Sequence, residues 1–486
     1  MVPSAGTPRA QPRSLPVHQA ATQEGPFAFR SYLIAAFAIA LTAGFGMGAH
    51  LAASAWVRPL PGTFWGVLVQ MHGHAQLFGW AALFVFGILF HVLPRMRGAP
   101  PHLARPAGPL LALYLLGLLL RLGSQAALAA RPATAGPSIW ALLLGTAAVL
   151  ELLAGLGFAV LVARILRAGP PIGTRQGLSA SLPLLILSAL SYVAAVGLAG
   201  ASGLSAAAAG TPFTPAALTR TNETLALYGF LLGIAFGVSA RMLPLLLTVP
   251  GISAPRLRMI TALLAVGIAG RALEPWFDDT LSGIAGALGS LALAGACLWY
   301  IWELDLPLRR RPVPWLANLE RRNAALRAAG KPDRGIMPDS GEYGRFEWTV
   351  VPAHAWLALA GVLALAAAAG RLLGWSVAPL YDAERHAVAV GYLTALMLGM
   401  AVRLLPNFTG RRLQHLRLVD ALAISMAVAA VGRVGGPLLA ALGVSWALAG
   451  ALPALAGLAG LAALIITLIL ILPLLYPTRS PHSAAA

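Results

Sequence analysis

Three histidines and three arginines carry most of the chemistry this chain can perform. His74 opens the segment HAQLFGWAALFVFGILFHVLP (74–94) and His386 opens HAVAVGYLTALMLGMAVRLLP (386–406). Between them, TLALYGFLLGIAFGVSARMLP (224–244) has the same layout, with Thr224 where the others have His. Counted from that first residue, each segment has Gly at +5, an aromatic at +6, Gly at +13, a basic residue at +17 and a closing Leu-Pro. The register continues without a gap to an arginine at +47: Arg121, Arg271 and Arg433. Neutral imidazole is a ligand for haem iron and copper. Guanidinium is shaped to hold carboxylates and other anions. Histidines and arginines at one repeated depth therefore read as a cofactor layer. His74 and His386, on different helices, are the expected axial ligands of a haem, and the three arginines hold its propionates or another anion. His72 lies two residues before His74, about 200° away around a helix. It must face elsewhere, as a ligand to a second metal or haem or as a plain polar contact.

The elements that position these residues are membrane spans. Of the 486 residues 58% are hydrophobic and 10% charged, which excludes an ordinary soluble domain. Apolar runs of about 20 residues, long enough to cross a bilayer, recur along the chain. They predict twelve helices, near 30–52, 64–93, 107–123, 139–166, 181–200, 215–246, 257–274, 282–304, 352–374, 383–405, 418–435 and 446–476. Twelve spans and three copies of one even-numbered helix imply three parallel four-helix repeats around a pseudo-threefold axis. The expected units are 29–167, 168–311 and 351–477, with a basic loop at 312–350 and polar tails at 1–28 and 478–486. The fold class is all-α and polytopic.

A net charge of +18 suggests nucleic acid only until the charges are located. With the N-terminus in the cytoplasm, most of the 34 Lys and Arg fall in cytoplasmic segments. The basic balance is then a topogenic signal, with both termini cytoplasmic, membrane lipid as the surroundings and no nucleic acid as a partner. Leu-Pro ends lead into Arg-rich loops and are cytoplasmic, so the histidine ends lie toward the outer face. There His50 is interfacial. His91, His102, His354 and His415 sit at cytoplasmic ends, and His18 and His482 in the tails. Arg241 and Arg403 are expected to snorkel to the interface. Glu274 follows Arg271 at the spacing of a helical ion pair, and Glu223 is a candidate proton relay. Cys297 is the sole cysteine, so there is no disulfide and no Cys-x-x-Cys-His for covalent haem attachment.

The stretches WGVLVQMHGHAQLFGWAALFVFGILFHVLPRMRG (65–98) and RHAVAVGYLTALMLGMAVRLLPNFTGRRL (385–413) resemble the signature helices of the NnrS family. The resemblance implies a twelve-helix protein of the bacterial inner membrane carrying haem b and copper, linked to nitric oxide metabolism. It makes His72, His74 and His386 the metal-binding histidines. The layout is in turn similar to subunit I of haem–copper oxidases, whose three four-helix arcs are arranged pseudo-threefold. The departures matter: Ala75 and Gln76 stand where the NnrS signature has Glu and Met. Against the oxidases, 215–246 and 257–274 lack the copper histidines, and 383–405 has one His rather than His-x-His. Proton-pumping oxygen reduction is not expected. Two alternatives follow: a divergent oxidase or NO reductase subunit fed by an electron-donor protein, using His72 and Glu223, or an anion transporter with an Arg-lined site.

Overall fold

The computed structural model describes residues 28–57, 62–130, 138–170, 178–331 and 341–476. The tails, with His18 and His482, lie outside the described residues, as does part of the basic loop. The described residues form thirteen helices and no strand. They are α1 (28–57), α2 (62–97), α3 (Ala107–Ala129), α4 (Ile139–Ala168), α5 (Leu178–Ala208), α6 (216–246) and α7 (Ala254–Leu273). After them come α8 (Asp279–Leu304), α9 (Pro314–Ala328), α10 (Glu347–Leu372), α11 (378–409), α12 (Arg417–Ala441) and α13 (Trp446–Leu475). Eleven of these are long and apolar enough to cross a membrane, and the chain is a multi-pass membrane protein. The two others differ in kind. α7 is 20 residues, about 30 Å, but carries Arg256, Arg258 and Arg271. α9 is short and polar, an addition to the twelve expected spans.

Consecutive helices pack side by side from α1 to α8 and from α10 to α13; α8 lies on α10, and α13 returns to pack on α1. The ring is therefore closed. Inside it, α2, α6 and α11 touch through their middle segments and are the most buried spans, at 67%, 61% and 83% against 33–50% for the others. Each of these three helices loosens into π geometry immediately after the residue that starts the sequence repeat. The segments are Ala75–Ala81 after His74, Leu225–Leu232 after Thr224, and Ala387–Thr394 after His386. A fourth π segment, Ala40–Gly44, interrupts α1 beside α2. Such segments insert a residue into the helical ladder and recur at functional sites.

Candidate functional site

The polar residues at the histidine end of the bundle form three clusters, two of them linked through Arg385, which reaches both Glu223 and Asp382. His72 belongs to the first. Its Nδ1 donates to the Gly44 carbonyl in the π segment of α1, 3.0 Å away. A carbonyl only accepts, so the proton sits on Nδ1 and Nε2 keeps its lone pair. The ring is crowded against Gly48, where a Cβ would lie 2.7 Å from His72 Cε1. His386 has the same arrangement. Its Nδ1 donates to the Asp382 carbonyl at 2.8 Å, with the Asp382 carboxylate 3.3 Å away. Among the described residues neither Nε2 has a hydrogen-bond partner. α2 and α11 meet where Trp80 Nε1 donates to Thr394 Oγ1 at 3.5 Å, and His72 lies within electrostatic reach of His386, Arg433 and Asp382. Arg433 forks onto Asp382, at 2.9 and 3.2 Å, and locks that side chain behind His386. Anchoring Nδ1 and leaving Nε2 free is how proteins prepare a histidine for a metal.

His74 is prepared differently. Its Nε2 meets Glu151 Oε2 at 3.0 Å. The same oxygen accepts from Arg121 Nε at 2.9 Å, and Arg121 also donates to the Ala199 carbonyl of α5. Arg121 and Glu151 are both buried. Helix geometry explains the separation: two residues along α2, His72 and His74 point to opposite sides. His74 therefore turns to Glu151, away from the side of α2 that carries His72. A cavity of about 30 Å³ borders His74, Arg121, Gln125, Asn222 and Glu223, roomy enough for a water molecule.

The third cluster surrounds Arg271, which is buried and donates to Glu384 at 2.8 Å. Its guanidinium lies over the Tyr381 ring, 4.0 Å from the centroid. Glu274 does not pair with Arg271. The helix ends at Leu273, and Glu274 turns to Arg371 of α10. Glu223 pairs with Arg385 at 2.9 Å.

All three +47 arginines are thus held by carboxylates of this chain: Glu151, Glu384 and Asp382. A buried guanidinium needs a counter-charge, and propionates are not required to supply it. Glu151 and Asp382 escaped the sequence reading. The available signals were a lone acid in the apolar run of α4 and an acid four residues before His386. Arg403, expected at the interface, is buried and lies over the Tyr343 ring. His91 packs between Phe29 and Phe408. Among the described residues no group of three His, Cys, Asp or Glu could hold a metal ion, so the copper expected from the resemblance finds no ligand set there. Two axial histidines suffice for a haem.

No protein-family model matches this chain. No curated protein matches it in sequence. Among solved structures, a heme-copper terminal oxidase dimer determined by cryo-electron microscopy has a similar fold. The TM-score is 0.62 at 11% identity, over 93% of this chain and 84% of that one. The chain thus shares the fold of a heme-copper terminal oxidase.

Proposed function

We propose that this chain is a haem-binding protein of the bacterial inner membrane, of NnrS type, in which His72 and His386 would hold the haem. The observation that carries the proposal is the matched state of these rings: Nδ1 anchored to a carbonyl, Nε2 free, on two facing helices. Gly44 and Asp382 fix the ring orientations, Arg433 fixes Asp382, and Gly48 leaves room beside His72. Bound there, haem b supplies one-electron chemistry, exchanged with an electron-donor protein, or a site for nitric oxide if one histidine lets go. The fold likeness to a heme-copper terminal oxidase supports this reading at the level of architecture alone.

The three-unit architecture belongs to the same proposal. It is supported by the shared π-segment register, the central burial of α2, α6 and α11, and the closed ring. Under a threefold axis, equivalent residues face successive interfaces and never each other. His74 meets Glu151 of α4 and borders a cavity toward α5 and α6, Thr224 borders a cavity toward α10 and α11, and His386 faces α2. A ligand pair across one interface must then come from different repeat positions, as His72 and His386 do.

The test is the optical spectrum of detergent-purified protein expressed with ample haem, oxidised and dithionite-reduced. Wild type is expected to show a Soret band. His72→Ala and His386→Ala should lose or shift it, and His74→Ala should keep it. Absence of the band in wild type, or its loss in His74→Ala alone, overturns the assignment.

A further inference from the structure

We infer that the cavity bounded by α6, α7, α10 and α11 is a binding site for a small, planar, monovalent oxyanion. It has a volume of about 350 Å³, and neither His72 nor His386 is among the residues that line it. Arg220, Arg271, Arg371 and Arg385 all line it. Three of them are matched: Arg271 by Glu384, Arg371 by Glu274 and Arg385 by Glu223. Arg220, exposed at the wall, has no carboxylate partner among the described residues. The cavity is left with one positive charge in excess.

Its donors are also in excess. Tyr228 lines the cavity and is 2% exposed; its hydroxyl makes no well-formed hydrogen bond, and the acceptor beside it is Glu384. Glu384 gives its Oε2 to Arg271. Nε of Arg371 and Nε of Arg385 are buried without partners. Buried donors in a folded protein are nearly always satisfied. Water would satisfy these donors but not the charge; a cation would satisfy neither. A divalent anion would overshoot a surplus of one. An acceptor-only group with a single negative charge meets both needs, and guanidinium prefers oxygens set in a plane. The Tyr381 ring, with Arg271 stacked on it, and Trp375 give the cavity flat walls suited to a planar ligand. Carboxylates and nitrate-like inorganic anions share this chemistry.

Isothermal titration calorimetry on the full-length, detergent-purified chain tests the site. Sodium acetate and sodium nitrate are the probes, with chloride and sulfate as controls at constant ionic strength. Saturable one-to-one binding of acetate, nitrate or both is expected, with acetate alone indicating a carboxylate and nitrate alone an inorganic anion. Arg220→Gln should weaken binding by about tenfold and Tyr228→Phe by about fivefold. Arg220 is exposed and Tyr228→Phe keeps the ring, so both variants are expected to fold, which a thermal melt checks. Arg220→Gln should leave the Soret band as in wild type, so failure of the haem assignment and failure of this one read out separately. No saturable heat with either probe, equal affinity in Arg220→Gln, or stronger binding of sulfate overturns the inference.

Discussion

A histidine becomes a ligand when one ring nitrogen is held and the other is free, and this criterion separates three residues that look alike in the sequence. His72 and His386 meet it; His74 gives its Nε2 to Glu151. The opposite facing of His72 and His74 was readable, because two residues are about 200° of helix. The pairing proposed for His72 and His386 was not, because shared repeat position fixes depth and says nothing of direction. The carboxylates were the other blind spot, since an ion pair such as Arg121–Glu151 joins residues on separate helices. Two outcomes are expected at this scale. Glu151→Gln strips a buried guanidinium of its counter-charge and should cost about 3 kcal/mol. That is read as a lower melting temperature with an unchanged haem spectrum, and Arg121→Gln in the same chain should recover part of it. Gly48→Ala places a methyl 2.7 Å from His72 Cε1 and must displace the ring. A shifted Soret band or faster haem loss should follow, whereas a spectrum identical to wild type would show that the ring has room to move.

At the scale of elements, apolar run length and the repeat located the helices well: eleven of the twelve expected spans match helices long and apolar enough to cross a membrane, and the twelfth falls on α7 with its three arginines. The π segments were invisible because a slipped ladder leaves no composition of its own. Their position matters: an extra residue after His74 rotates everything before it by about 100° relative to the rest of α2. Deleting Leu77, inside that segment, should restore α geometry and swing His72 out of line with His386. The expected result is a chain that still inserts in the membrane but retains little haem; normal haem content would deny the segment that role. Beyond the spans, Asp305 ends α8 in a left-handed conformation with φ 52°. Its buried carboxylate accepts from Arg310 Nε and from the Arg311 backbone. Burial alone would raise its pKa, but those two arginines outweigh it and hold it below the usual range. A depressed pKa adds stability that is complete above about pH 4 and lost as pH falls toward the folded value. Asp305→Asn keeps the left-handed backbone and should cost about 1–3 kcal/mol at neutral pH, the difference from wild type shrinking in acid melts.

At the scale of the whole molecule, the closed ring has a consequence for how the protein is made. α13 packs on α1, where Gly457 meets Ala49 closely enough that a Cβ would sit 2.6 Å from its Cα. The wall behind His72 is α1, and α1 is incomplete on its far side until α13 arrives. α1 must therefore wait for α13, with the spans between them inserted first. A chain ending at residue 445 should contain both His72 and His386 yet fail to hold haem, and supplying α13 as a separate polypeptide in the same membrane should restore it. Assembly order, rather than ligand order along the chain, would then decide when the cofactor can be locked in: only after α13 leaves the ribosome.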